Sequence, residues 1–371
     1  MLRQQDRLFR VGLAGCGSIA PLHVQGIKAL DDAELVAFAD PDPRARARLV
    51  AYSHELDSGR VTENLRCYED LAKLIQNEKP DVVHICTPHH THVPLAILSL
   101  EQGCHVLMEK PPAITLNGLQ ALEKAVASSQ KTVGVCFQNR FNPSSIKAKH
   151  LLTTGKIGPV RAARAFVTWK RDAAYYAQAS WRGRWATEGG GVMINQAIHT
   201  LDLMIWLAGR PVKVEGTLAN RHLRGVIEVE DTAEMMMTLE NGVAALFYAT
   251  TAYGADAPVF LELDCGRNRL RLEGDNLFLL DETGSFLPPA VLTDLLNQEP
   301  ARVPFMEERN PLNDGKACWG QGHQRLIRAF YDSLKPGQEA FPIDLESGSL
   351  ALKALLALYE SHRSKKTVTV I

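Results

Sequence analysis

Short apolar runs alternate with helical stretches through the first third of the chain, and this alternation restricts the fold more than any other feature. The apolar runs cover residues 9–14, 34–39, 81–86, 105–108 and 132–136. Helices are predicted between them at residues 19–30, 43–54, 91–102 and 116–128. Strands that are buried on both faces are apolar throughout, and helical crossovers make neighbouring strands parallel. The pattern therefore predicts an α/β domain with a doubly wound parallel sheet.

The pattern changes after about Gln138. A predicted helix at residues 142–154 is followed by strands, and Asn241-Gly242 between two of them is a strong hairpin signal. The strands are predicted at residues 160–169, 231–239, 243–250, 260–264 and 268–273, and closing helices at 323–334 and 345–362. These elements indicate an α+β domain with a large, mostly antiparallel open sheet. We therefore expect two domains, residues 1–138 and 139–371.

The composition excludes several classes of function. The 371 residues are 46% hydrophobic and 22% charged, with a net charge of −1, which disfavours binding to nucleic acid or to anionic membranes. No apolar run approaches the roughly 18 to 20 residues that cross a bilayer. The polar segment 1–10 does not resemble a signal peptide, and the seven cysteines show no zinc or disulfide spacing. We expect a cytoplasmic protein without membrane or nucleic-acid partners.

A glycine motif of the G-x-G-x-x-G/A type lies between the first strand and the first helix. Its residues are Gly15, Cys16, Gly17, Ser18, Ile19 and Ala20. Gly15 permits the tight turn, Gly17 lets the backbone approach a pyrophosphate, and Ala20 keeps the helix close to the strand. The N–H groups of the turn and the helix dipole then face the phosphates. The motif predicts a dinucleotide-binding Rossmann domain; the alternative is a glycine-rich turn without a ligand.

Asp40 ends the second strand, 20 residues after Ala20. A carboxylate there accepts hydrogen bonds from ribose hydroxyls and repels a 2′-phosphate, so the cofactor is predicted to be NAD rather than NADP. Arg44 and Arg46 lie nearby and weaken that preference. The alternative is that Asp40 is only a turn residue of the Asp-Pro-Asp-Pro segment.

Lys110 follows the strand at residues 105–108, beyond the carboxyl end of the parallel sheet, where ligands bind in such folds. Burial and the positive nicotinamide of NAD⁺ would lower the pKa of this lysine, so that it could hydrogen-bond a substrate hydroxyl. The alternative is a surface lysine before a proline turn.

A glycine triplet at residues 189–191 precedes a helix predicted at about 192–207. Asn195, His199 and Asp202 are spaced so that one helical face carries all three. A histidine suits general base work on an alcohol near neutral pH, and Asp202 could orient its ring. A core histidine held by Asp202 is the alternative.

An aromatic and basic segment precedes the triplet and contains Tyr175, Trp181 and Arg182, while Arg140 follows the last parallel strand. Aromatic rings stack on the C–H faces of sugars and arginines bind hydroxyls, so these four residues are predicted to bind substrate. The alternative is a loop that packs on the sheet.

Three histidines, His89, His90 and His92, lie close together in the sequence. No carboxylate or cysteine accompanies them at ligand spacing, so we predict no metal site.

With these motifs the chain resembles the Gfo/Idh/MocA family, which includes glucose–fructose oxidoreductase and inositol dehydrogenase. The resemblance extends over essentially the whole chain. The motifs on which it rests are at residues 15–20, 86–92, 109–111, 155–158 and 189–202. It implies that His199 is the general acid/base and that Lys110 assists at the reactive hydroxyl.

The same resemblance extends to the cofactor and to assembly. It implies that Thr87, Pro88, His92, Glu109 and Lys110 border the cofactor, and that the peptide before Pro111 is cis. It further implies a homo-oligomer, a dimer or tetramer, formed through the open sheet.

Asn195 departs from the family pattern, because many members have aspartate at this position. Asparagine cannot take a proton, so Asn195 is interpreted as a substrate-binding group. Asparagine here is similar to several sugar 3-dehydrogenases of the family.

The sequence thus predicts an NAD-dependent dehydrogenase that oxidises a secondary hydroxyl of a sugar, glycoside or cyclitol, with ring C3 as the more specific hypothesis. Two alternatives remain: a glycosidase or lyase that uses NAD transiently in a redox-assisted elimination, and a non-catalytic NAD-binding sensor. The presence of both Lys110 and His199 counts against the sensor.

Overall fold

The computed structural model describes residues 8–56, 65–297 and 320–371. The chain divides into two compact units: Met1–Phe137 with Gly320–Gly348, and Gln138–Trp319 with Ser349–Ile371. The sequence assigned all residues after 138 to the second domain, whereas Gly320–Gly348 cluster with the first unit.

The first unit contains a six-stranded parallel sheet. Its strands are β1 (Phe9–Ala14), β2 (Ala33–Ala39), β3 (Arg66–Tyr68), β4 (Val82–Ile85), β5 (His105–Met108) and β6 (Val133–Val135). They are arranged β3-β2-β1-β4-β5-β6, and every neighbouring pair is parallel. This order reverses between β1 and β4, and ligands of doubly wound sheets bind at that switch point. The predicted parallel sheet is confirmed.

Helices flank this sheet, and three of them begin with a side-chain cap. They are α1 (Ala20–Lys28), α2 (Pro43–Glu55), α3 (Leu71–Glu78), α4 (His92–Glu101), α5 (Leu116–Ser129) and α10 (Gly320–Ser333). The side chains of Asp42, Asp70 and Thr115 each accept a hydrogen bond from a backbone N–H in the first turn of α2, α3 and α5, respectively.

Helix α10 packs against α1 and so completes the first unit. A Cβ at Gly26 would lie 2.3 Å from the Cδ1 atom of Ile327, so glycine is needed where these helices approach each other. The Arg328 guanidinium donates to the Ala29 carbonyl at 2.8 Å. The sequence predicted this helix but gave no sign of its partner.

The second unit contains an eight-stranded sheet. Its strands are β7 (Ala162–Thr168), β8 (Pro211–Ala219), β9 (Thr232–Leu239), β10 (Ala244–Thr250), β11 (Phe260–Asp264), β12 (Arg269–Glu273), β13 (Asn276–Leu280) and β14 (Val368–Thr369). They are arranged β13-β12-β11-β7-β10-β9-β8-β14, and only β7 and β10 pair in parallel. The predicted open, mostly antiparallel sheet is confirmed.

One face of this second sheet is covered and the other is exposed. The remaining helices are α6 (Pro143–Thr153), α7 (Ala173–Ala177), α8 (Ile198–Ala208), α9 (Pro289–Asn297) and α11 (Leu345–Ser364). Met235 and Met237 of β9 are buried, whereas Met236 between them is 47% exposed and Leu246 of β10 is 39% exposed. Alternation along a strand therefore buries one face of the sheet. In the described ranges no helix has both the length and the apolar character that a bilayer crossing requires.

Candidate active site

The turn after β1 has the shape that a bound pyrophosphate needs. Gly15 has φ +91°, and a Cβ there would lie 2.6 Å from the Cys86 carbonyl oxygen, so the protein itself requires glycine. A Cβ at Gly17 would meet no atom within 4 Å, and this residue is exposed. Ala20 is fully buried at the start of α1. The turn therefore fits a dinucleotide, because it leaves open the backbone position at which a phosphate approaches.

Asp40 fixes the edge of this turn. Its Oδ2 accepts from the Cys16 backbone N–H at 2.7 Å and its Oδ1 accepts from Asp42 N–H at 2.8 Å. A carboxylate has about four acceptor positions, so ribose hydroxyls can still be bound. Burial and the charge of Asp40 raise the pKa of the Cys16 thiol to about 12, which keeps this thiol protonated.

Two loops at the carboxyl end of the sheet are joined by His92. Its Nδ1 lies 2.7 Å from the Pro111 carbonyl oxygen and its Nε2 lies 2.8 Å from that of Thr87. His92 is fully buried, and burial lowers its pKa. A neutral imidazole donates from one nitrogen only, so His92 hydrogen-bonds one of these carbonyls and packs against the other. Thr87 and Pro88 are partly exposed. The peptide between Lys110 and Pro111 is cis, as expected.

Glu109 is buried below the backbone of Lys110. Its Oε1 lies 3.2 Å from His23 Nε2 and 3.3 Å from His323 Nε2, and its Oε2 accepts from the Lys110 N–H at 3.3 Å. Burial raises the pKa of Glu109, but the hydrogen bonds from His23 and His323 outweigh burial, and the net pKa lies well below the usual range. Glu109 is therefore ionised and anchors the peptide that carries Lys110, whose side chain is partly exposed.

The hydrogen bonds beyond Glu109 have one consistent direction. Burial lowers the pKa values of His23 and His84, so both rings are neutral. Since a carboxylate only accepts, His23 carries its proton on Nε2, and its Nδ1 accepts from His84 Nδ1 at 2.9 Å. His84 Nε2 then accepts from the Tyr331 hydroxyl at 3.1 Å. Tyr331, His84, His23 and Glu109 thus form a fully paired buried chain.

Sequence reasoning missed this chain, and its one signal was a histidine, His84, inside an otherwise apolar strand. His23, Glu109 and Cys136 are also grouped closely, with one donor atom from each within 4.8 Å of the others, a spacing that could hold a metal ion. The prediction of no metal site considered other histidines and did not consider this group. The hydrogen bonds of His23 already pair its two ring nitrogens.

In the second unit the glycine triplet is required by close packing. A Cβ at Gly190 would lie 1.8 Å from the Tyr359 hydroxyl, and one at Gly191 would lie 1.9 Å from the Glu230 carbonyl oxygen. The chain then forms one π-helical turn, Met193–Ala197, before α8 begins. Such turns occur frequently at functional sites.

Asn195 and His199 are the accessible residues of this helical segment. Between residues 191 and 200 all others are buried, while these two are partly exposed. Two of the side chains predicted on this helix are therefore accessible, while their neighbours in the chain are buried.

Arg140 and Asp202 form a buried ion pair. Arg140 Nε donates to Asp202 Oδ2 at 2.8 Å and Nη2 donates to Oδ1 at 2.6 Å. Both side chains are almost completely buried. The Arg140 guanidinium is therefore engaged by Asp202 inside the protein, and the Asp202 carboxylate is engaged by Arg140. Burial raises the pKa of Asp202, and Arg140 opposes this effect.

Tyr175, Trp181 and Arg182 lie together in the second unit. The Arg182 guanidinium is 4.3 Å from the centroid of the Tyr175 ring and 5.6 Å from that of Trp181. Gln196 donates to the Tyr175 hydroxyl at 3.1 Å, which links this cluster to the π-helical turn. All three residues are partly exposed.

Glu188, which sequence reasoning did not single out, contacts Asn195. Its Oε1 accepts from Asn195 Nδ2 at 2.5 Å, and its Oε2 accepts from the Gly183 backbone N–H at 2.5 Å. Glu188 is completely buried. Its position directly before the glycine triplet was the only available signal.

Two family descriptions match the chain. The oxidoreductase family with an NAD-binding Rossmann fold matches residues 9–137, and the GFO/IDH/MocA C-terminal domain matches residues 145–276.

Proteins of known activity are similar along nearly the whole chain. D-glucoside 3-dehydrogenase of Escherichia coli (strain K12) is 24% identical over 361 residues, 95% of each protein. Myo-inositol 2-dehydrogenase of Thermotoga maritima is 24% identical over 370 residues, 97% of this chain and 98% of that protein. The crystal structure of the WlbA dehydrogenase from Bordetella pertussis in complex with NADH and UDP-GlcNAcA is 26% identical, with a TM-score of 0.80, covering 98% of this chain and 99% of that one.

Proposed function

We propose that this chain, which belongs to the GFO/IDH/MocA oxidoreductase family and has an NAD-binding Rossmann domain, oxidises a secondary hydroxyl of a sugar, glycoside or cyclitol. The observation that carries the proposal is the exposure of Asn195 and His199 on a helical segment that is otherwise buried. A polar pair of this kind suits a substrate with several hydroxyl groups. The relatives' names, a glucoside and an inositol dehydrogenase, agree with this substrate class.

His199 is the proposed general acid/base. It takes the proton of the reacting hydroxyl during oxidation and returns it during reduction, work for which an imidazole is suited near neutral pH. Lys110 hydrogen-bonds the same oxygen and stabilises the negative charge that develops on it. When bound, NAD⁺ would supply the acceptor for the hydride that leaves the carbon. The products are then a ketone, NADH and one proton.

Fixed supports favour Lys110 for this role. Glu109 binds the Lys110 N–H, and His92 contacts the adjoining Pro111 carbonyl. A catalytic group gains most from such support, because small displacements reduce catalysis strongly.

Oxidation at ring C3 is the finer proposal. Asparagine at position 195 and the similarity to D-glucoside 3-dehydrogenase support it. Tyr175, Trp181 and Arg182 would then bind the sugar, since the two aromatic rings and the guanidinium offer both apolar surface and hydrogen-bond donors.

We further propose that the chain forms a dimer or tetramer through the exposed face of its second sheet. Met236 and Leu246 are the exposed large apolar residues of β9 and β10, and such residues on an open sheet favour association. Light scattering should then give a smaller mass for Met236→Glu than for the unchanged protein, and an unchanged mass would contradict this proposal.

The test of the proposed reaction is NADH formation with purified protein, NAD⁺ and a panel of sugars, glycosides and inositols, with glycoside cleavage followed in the same samples. Lys110→Ala and His199→Ala should lose nearly all activity. Lys124→Ala and His54→Ala, which replace exposed residues of the same types, serve as matched controls.

NADH formation that depends on Lys110 and His199 supports the proposal. Glycoside cleavage without net NADH would instead indicate a glycosidase that uses NAD transiently. NAD binding without either reaction would indicate a non-catalytic NAD-binding sensor.

A further inference from the structure

The carboxylate of Glu188 determines which edge of the Asn195 amide faces the protein. Both Glu188 oxygens accept hydrogen bonds, one from the Gly183 backbone N–H and one from the Asn195 side chain, each at 2.5 Å. A backbone N–H can only donate, and an ionised carboxylate can only accept. The hydrogen bond from Asn195 Nδ2 places the amine of this side chain against Glu188.

The loop that carries Glu188 is itself fixed. Gly183 has φ +74°, and a Cβ there would lie 2.6 Å from Ile227 Cγ2, so this turn requires glycine. The Glu228 N–H donates to the Gly183 carbonyl at 2.7 Å. Glu188 is completely buried while Asn195 is partly exposed, so the buried edge of the amide is the one that Glu188 covers.

We propose that Glu188 is a positioning residue that turns the carbonyl oxygen of Asn195 toward the substrate. Asn195 then accepts a hydrogen bond, and the substrate must supply a donating hydroxyl at that position. This inference rests on the proposed function, since it names how the proposed substrate-binding residue recognises a polyol. It also explains how an asparagine can provide an acceptor without carrying a charge of its own.

Glu188→Gln is the decisive perturbation because it preserves size and removes one acceptor. The Gly183 N–H keeps the introduced amide oxygen facing it, so the introduced amine faces Asn195. Asn195 must then turn its carbonyl inward and present its amine to the substrate. Removing a matched hydrogen bond costs about tenfold in affinity, so we expect the KM for the polyol to rise about tenfold. The KM for NAD⁺ should not change.

The double variant Glu188→Gln/Asn195→Asp should restore the acceptor. The introduced carboxylate accepts from the introduced amine with one oxygen and presents the other to the substrate. We expect recovery of the KM to within about threefold of the unchanged protein, with a melting temperature above that of Glu188→Gln. Asn195→Asp alone places two carboxylates side by side, so it should melt at a lower temperature than the double variant.

Glu228→Gln is the matched control, because Glu228 is an exposed carboxylate near the same loop and pairs with Arg184. A KM for Glu188→Gln equal to that of the unchanged protein would overturn the inference, since a protonated Glu188 donating to the Asn195 carbonyl would tolerate glutamine. A double variant no better than the worse single variant, in KM or in melting temperature, would also overturn it. If the unchanged protein oxidises no polyol, the proposed function fails, and the melting temperatures of the three variants still decide the pairing.

Discussion

Alanine at the two glycines of the first turn should separate folding from cofactor binding. At Gly17 an added methyl group meets no protein atom within 4 Å, so Gly17→Ala should leave the melting temperature unchanged. The methyl group would occupy the space that the pyrophosphate approaches. Overpacking of this kind costs about 1–3 kcal/mol, so the Kd for NADH should rise roughly 5- to 150-fold.

The companion substitution Gly15→Ala should act on folding instead. It places a side chain at φ +91° and a Cβ 2.6 Å from a backbone oxygen of Cys86 that cannot turn aside. The left-handed conformation alone costs about 1–2 kcal/mol, and the clash adds to it. We expect the melting temperature to fall by at least about 4 °C.

Titration of NADH fluorescence and thermal unfolding without cofactor measure the two effects. If Gly17→Ala binds NADH as tightly as the unchanged protein, the pyrophosphate does not approach at Gly17 and the reasoning is refuted. An unchanged melting temperature for Gly15→Ala would refute the close contact with Cys86.

Three further predictions concern charged groups. Asp40→Ala should lower the preference for NAD over NADP by about tenfold or more, measured as the ratio of kcat/KM values, because the repulsion of the 2′-phosphate is removed; an unchanged ratio would contradict this role. Burial raises the pKa of Glu230 to about 7, so the stability that the protonated carboxyl contributes is complete below its usual pKa and is lost as pH rises through 7. In Glu230→Gln this pH dependence, up to about 3 kcal/mol of unfolding free energy, should be absent. Denaturant unfolding at pH 5 and pH 8 would measure it, and an unchanged pH dependence would contradict the raised pKa. Asp202→Asn should cost about 3–5 kcal/mol of stability, read from denaturant unfolding, because it leaves the Arg140 charge buried without its carboxylate; a loss below 1 kcal/mol would contradict the buried pair.

The first unit was largely predictable because its signals are local. Apolar runs, a glycine motif and helix caps are contiguous in the sequence, and β1 and β5 have the predicted bounds. β3 (Arg66–Tyr68) was missed because its three residues are exposed or half-buried and form no apolar run. The packing of α10 on α1 was missed because it joins residues about 300 positions apart, such as Arg328 and Ala29.

In the candidate site, the sequence identified side chains that are accessible, and it missed the contacts that buried side chains make with residues far away in the chain. Asn195 and His199 were singled out by helical spacing, and both are partly exposed. Asp202 has the same spacing, yet its partner is Arg140, 62 residues away, and no local pattern indicates an ion pair over that separation. The π-helical turn also changes the register of the helix, so a regular 3.6-residue period does not describe it.

Glu188 was missed for a similar reason. Its role depends on both oxygen atoms accepting from particular donors, Gly183 and Asn195. A glutamate before a glycine triplet has no distinctive sequence pattern, so only the folded structure shows this role.

The central claim is hydride transfer from a polyol carbon to the cofactor, and isotope transfer tests it most directly. The best substrate of the panel, deuterated at its ring carbons, would be incubated with NAD⁺ and the protein, and the recovered cofactor analysed by mass spectrometry. We expect one deuterium in each reduced nicotinamide and an equal amount of ketone. His199→Ala should form neither the deuterated cofactor nor the ketone. Cleaved glycoside without net reduced cofactor, or reduced cofactor without deuterium, would contradict it.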